Sequence, residues 1–150
     1  MRTPSATPIR LSPRTRLTIL VVGSGLWASG GLWLILHFFF RRAGPWGPEP
    51  HVLEPWSLGL HGLFAFAGLW LIGLLCGLHI VAAWRIGRRR WSGAILLAWL
   101  LTLTLTGYLL IYAGDDGAWG LVSPSHWIAG LALPLPFAVH RLIRFLRPGS

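Results

Sequence analysis

Four stretches of this chain, 17–40, 58–84, 91–113 and 117–140, are long, apolar and without formal charge, and they constrain the fold more than any other feature. A backbone crossing about 30 Å of hydrocarbon must satisfy its own hydrogen bonds, so about 20 apolar residues in a row specify a transmembrane helix. Each stretch reaches that length, the fourth including some loop. Together they take up nearly the whole chain, which is 54% hydrophobic and 11% charged with a mean hydropathy of +0.62. No room is left for a soluble catalytic domain. The expected fold is all-α: an integral membrane four-helix bundle over 17–146, preceded by a disordered cytoplasmic tail over 1–16 that carries Pro4, Pro8 and Pro13.

The formal net charge of +9 comes entirely from arginine, and its placement gives the orientation. Arg2, Arg10, Arg14 and Arg16 precede span one, Arg85, Arg88, Arg89 and Arg90 separate spans two and three, and Arg141, Arg144 and Arg147 follow span four. Only Arg41 and Arg42 fall on the other side. The positive-inside rule then puts both termini and the RIGRRR loop in the cytoplasm. All four acids, Glu49, Glu54, Asp115 and Asp116, fall in the two outer loops, where they are either solvated charges that barely affect orientation or a surface for a basic periplasmic electron carrier. So segregated a charge is a topology signal and not a nucleic-acid patch. The first apolar stretch runs on to Arg41, too long for a cleaved signal peptide, and reads as an uncleaved anchor in a multi-pass plasma-membrane protein. Cys76 stands alone, so no internal disulfide forms.

Trp46, Trp56, Trp119 and Trp127 gather at the outer edge and Trp84 and Trp91 flank the inner loop, as interfacial belts do. Trp27, Trp33, Trp70 and Trp99 read as lipid contact or core filling. Gly25 with Ser29, and Gly73 with Gly77, have the spacing that lets helices approach closely.

The chemistry lies in the histidines. His61 and His79 end one span, and His126 and His140 end another. At about 100° per residue, eighteen residues return to the same helix face and fourteen land about 40° away, so each pair can look into one interior. Both spans run from outside to inside, which sets His61 with His126 at an outer level and His79 with His140 at an inner one. Imidazole is a good iron ligand, and bundle interiors hold cofactors between facing helices, so these four can ligate one or two haems. The two intervals rise about 27 Å and about 21 Å, and the mismatch of about 6 Å falls to helix tilt or to a kink at Pro134 and Pro136. Without that adjustment only one level binds haem. Ala65, Gly68 and Cys76 near His61, and Gly130 after His126, leave room for a flat macrocycle. Thr106, Gly107 and Tyr108 either line the site or pack helices. His37 is a spare outer ligand and His51 a loop residue. Arg85, Arg88 and Arg141 can meet the propionates of an inner haem, and Arg41 or Arg42 those of an outer one; the same arginines can equally bind anionic lipid.

The histidine spans, the RIGRRRWSG loop, LTLTLTGYLLIYAGDD (101–116) and HWIAGLALPLPFAVHR (126–141) resemble the four-helix b-type cytochromes that serve as membrane subunits of formate dehydrogenases and nickel-iron hydrogenases, and their small stand-alone relatives. The resemblance covers roughly residues 17–146. It implies haem b ligated by His61, His79, His126 and His140, and electron transfer between a quinone and a partner redox-enzyme subunit or periplasmic cytochrome. The interval within span two is wider than that pattern. Two other classes compete: a haem-free scaffold or assembly subunit, whose histidines only join helices, and a small proton-linked transporter, against which the absence of acids within the spans argues. No CXXCH motif and no Gly-rich nucleotide loop is present.

Overall fold

The computed structural model describes residues 11–81, 90–112 and 116–146. Helix α1 (Pro13–Phe39) starts where helix-start chemistry is best: the Ser12 hydroxyl accepts from the Thr15 amide at 3.1 Å, and Pro13 opens the first turn. The helix thus begins inside the segment expected as a tail, while residues 1–10 lie outside the described residues. A small antiparallel hairpin follows, β1 (Arg42–Gly44) and β2 (Gly47–Glu49), pairing Arg42 with Glu49 and Gly44 with Gly47. The sequence shows no strand pattern here; the hairpin exists because Pro45 and Trp46 make the turn and Gly47 accepts φ +126°, a left-handed value that a side chain would disfavour.

Helix α2 (Glu54–Leu75) carries Pro55 in its first turn and runs into a π turn over Cys76–Ile80, where the Val81 amide donates five residues back to the Cys76 carbonyl. Glu54, expected in a loop, is the first helical residue and is buried. Helices α3 (Arg90–Tyr112), α4 (Asp116–Ala132) and α5 (Pro134–Leu146) complete the chain. Pro124 sits inside α4, and the break falls at Leu133. Pro134 has no amide to give Gly130, so the Leu133 amide takes that carbonyl instead, three residues back at 3.2 Å. The Ala129 carbonyl that this shift releases accepts from Trp99 Nε1 on α3 at 3.0 Å. In hydrocarbon a neighbouring helix must supply such a repair.

The chain divides into two compact units, Met1–Ile86 and Gly87–Ser150. Within the first, α1 packs on α2; within the second, α3 packs on α4 and α5. Gly25 receives the Phe64 ring, and a Cβ at Gly68 would stand 3.4 Å from Leu26 Cδ1 and one at Gly130 3.9 Å from Leu103 Cδ2. Gly68 and Gly130 therefore serve close helix packing. Gly73 and Gly77 meet nothing within 4 Å.

Among the described residues only Leu36 and Leu71 are buried apolar side chains, whereas Ser29, Glu54 and Ser57 are buried polar ones. Leu63, Phe66, Ile111 and Leu121 lie outward. Such a surface suits lipid and not water. Four segments, Pro13–Phe39, Glu54–Leu75, Trp91–Tyr112 and Gly120–Leu142, are long and apolar enough to cross a membrane. The molecule is a mainly helical, multi-pass membrane protein.

Candidate histidine sites

His61 projects from α2 against α1, where Leu26, Ser29 and Gly30 receive it. Its Nδ1 lies 3.0 Å from the Leu26 carbonyl and 3.3 Å from Ser29 Oγ. A carbonyl only accepts, so Nδ1 carries the proton and donates. The serine agrees: its hydroxyl hydrogen already goes to the Gly25 carbonyl at 2.7 Å, with Leu26 O at 3.2 Å, so its oxygen accepts from the imidazole. In the neutral ring the lone pair then belongs to Nε2. Gly30 is what lets the ring lie so close, since a Cβ there would stand 3.0 Å from His61 Cε1.

The second unit repeats this arrangement. His126 on α4 places Nδ1 2.9 Å from Thr106 Oγ1 on α3. Thr106 Oγ1 also lies 2.8 Å from the Thr102 carbonyl, with Leu103 O at 3.2 Å, so its hydrogen has a carbonyl within its own helix, as that of Ser29 does. A Cβ at Gly107 would stand 3.2 Å from His126 Cε1. The shared signal is Leu-x-x-Ser/Thr-Gly, as LWASG at 26–30 and LTLTG at 103–107. By sequence alone Ser29 has the spacing of a packing position and Thr106 and Gly107 suit lining or packing equally; the recurrence between the two odd-numbered spans is the signal that links them. Tyr108 lies outward and rests against Tyr112, ring centroids 4.6 Å apart.

His140, on α5, meets Ser92 Oγ at 3.1 Å, and a Cβ at Gly93 would stand 3.7 Å from its Cε1. Arg141 lies with its guanidinium 5.9 Å from the Phe137 ring centre. The backbone of His79 belongs to the π turn, so the uniform 100° per residue used to align it with His61 does not hold across Cys76–Ile80. Arg85, Arg88 and Asp115 lie outside the described residues. The structure therefore brings His61, His126 and His140 each to a hydroxyl on a preceding helix.

At the other end of the first unit, His37 stacks on Trp33 at 4.6 Å and donates Nδ1–H to Glu54 Oε2 at 3.1 Å. Glu54 Oε1 accepts the His51 amide at 3.0 Å, and His51 Nδ1 accepts the Leu53 amide at 3.2 Å. These bonds tie the end of α1 to the start of α2. Among the described residues, no three or more His, Cys, Asp or Glu side chains gather as a metal site. Against known protein families, curated proteins and solved structures, the chain matches none.

Proposed function

We propose that this chain is a b-type cytochrome of the plasma membrane, passing electrons between a quinone pool and a partner redox protein. The observation that carries the reading is the repeated histidine seat: His61 and His126 each give Nδ1–H to oxygen on the preceding helix, with glycine beside the ring. That is how iron-ligating histidines are ordinarily held, one nitrogen bonded to the protein and the other carrying the lone pair. The donor set fits haem, which needs two axial imidazoles and no third protein ligand. His61, His126, His140 and His79 are the ligand candidates, for one or two haems. When bound, haem b supplies reversible one-electron exchange at its iron. The Leu26 carbonyl, Ser29 and Thr106 would orient the imidazoles, and Arg85 and Arg141, or Arg41 and Arg42, would meet the propionates. Arginine placement supports cytoplasmic termini, and the acids around Glu49 suit a basic electron carrier outside.

A second reading has its own support. The bonds from His61 to Ser29, His126 to Thr106 and His140 to Ser92 all join two helices, which a haem-free scaffold would also use. Reduced-minus-oxidised absorption spectra of protein purified from haem-replete cells separate the two. Sharp low-spin bands, and loss of haem per polypeptide in His61→Ala and His126→Ala but not His51→Ala, are expected; a colourless protein overturns the cytochrome. Loss in His79→Ala and His140→Ala as well indicates two haems. Cysteine labelling at Trp46, which is 97% exposed, and at Arg14 tests the orientation: Trp46→Cys should react from outside and Arg14→Cys from inside.

A further inference from the structure

We propose that Thr106 is the positioning residue that holds His126 as its Nδ1–H tautomer, as the Leu26 carbonyl together with Ser29 holds His61, so that each presents the Nε2 lone pair as an iron ligand; the last clause rests on the cytochrome reading. The tautomer follows from hydrogen count. A Ser or Thr hydroxyl has one hydrogen, and in both units a helix carbonyl four residues back takes it, at 2.7 Å from Ser29 and 2.8 Å from Thr106. With that hydrogen on the carbonyl, the oxygen turned toward the histidine accepts and the imidazole donates; at His61 the Leu26 carbonyl, which can only accept, requires the same direction.

The recurrence makes accident a poor explanation. Two helix pairs in separate units hold the same hydroxyl, with a second carbonyl at 3.2 Å in each, followed by the same glycine beside the same ring nitrogen's face. A histidine that merely joined two helices could use either ring nitrogen. One held through Nδ1 offers Nε2, the nitrogen farther from the backbone. The two seats differ in redundancy: His61 also donates toward the Leu26 carbonyl at 3.0 Å, which no side-chain substitution removes.

The difference gives the test. In the full chain, haem-free in lipid nanodiscs and with imidazoles neutral, 15N spectra of labelled histidine report which nitrogen bears the proton. His61 and His126 should both read as Nδ1–H. Thr106→Val, which keeps the shape and removes the oxygen, should shift His126 toward Nε2–H by several-fold in the tautomer ratio. Thr106→Ser should restore it, and Ser29→Ala should leave His61 largely Nδ1–H. In the haem-loaded chain an accepted Nδ1–H makes the ligand more electron-rich and favours ferric iron. Thr106→Val should therefore retain a low-spin spectrum but raise one midpoint potential, about 59 mV for a tenfold change in the ferric-to-ferrous ratio. Nε2–H at His126 in the unaltered chain, or a Thr106→Val spectrum and potential identical to it, overturns the positioning role. Nδ1–H in a chain that takes up no haem keeps the tautomer lock and overturns the ligand clause instead.

Discussion

The two halves of the molecule reach the same histidine geometry from different surroundings. In the first, α1 and α2 are unbroken by proline over the contact, and a buried carboxylate ties their ends together through His37 and the His51 amide. In the second, α4 ends at a proline break, no carboxylate clamp occurs among the described residues, and a tryptophan mends a released carbonyl. What they share is short and local: a hydroxyl bonded to its own helix, a glycine after it, and a histidine from the next helix. A seat that survives so different a frame depends on those few residues and not on the frame. Its weak points are then the glycines.

Filling those glycines should have the largest effect. A Cβ at Gly30 would stand 3.0 Å from His61 and one at Gly107 3.2 Å from His126, whereas Gly31 has nothing within 4 Å. Gly30→Val and Gly107→Val should each displace a ring and cost up to about 3 kcal/mol by overpacking, with loss of the matching haem. Gly31→Val, one residue away, should cost little and spare the spectrum. Equal losses at Gly30 and Gly31, measured by unfolding in mixed micelles, would mean that helix propensity and not the seat decides.

The clamp of the first half is the next test. Glu54→Ala leaves the His51 amide and His37 Nδ1 without their carboxylate acceptor, a loss of about 2 kcal/mol for a buried bonded group. Glu54→Gln keeps an oxygen for the amide and should cost about half that. Hydrogen exchange should rise in α1 and α2 and stay unchanged in α3. A rise in both halves would mean that they are not separate cooperative units.

How much of this was legible in the sequence follows from how local each cause is. The spans were legible because twenty apolar residues suffice to specify them. The start of α1 was missed although Ser12 and Pro13 form an ordinary helix start, because prolines upstream made the segment read as tail. Glu54 read as a loop acid for a similar reason: its burial depends on His37, seventeen residues away. The hairpin at 42–49 has strands too short for periodicity, and nothing like a proline marks the π turn at Cys76–Ile80. His61, His126 and His140 stood out as polar groups in apolar spans. Their partners did not, since Ser29 or Thr106 matters only once it is known which helices pair and in what register.

The smallest expected effect is the most specific to the second half. Trp99→Phe removes the donor to the Ala129 carbonyl, and interhelical hydrogen bonds in membranes average about 0.6 kcal/mol. The carbonyl needs that donor because the Leu133 amide is turned to Gly130, and Leu133 is turned because Pro134 has no amide. Pro134→Ala restores the amide. Gly130 can then be served from position 134, and Leu133 can return to Ala129 as in an ordinary helix. The cost of Trp99→Phe should therefore shrink toward zero in the Pro134→Ala background, a coupling of about 0.5 kcal/mol in a double-mutant cycle. If the two substitutions simply add, the tryptophan is not mending the proline break, and the second half holds its bend by packing alone.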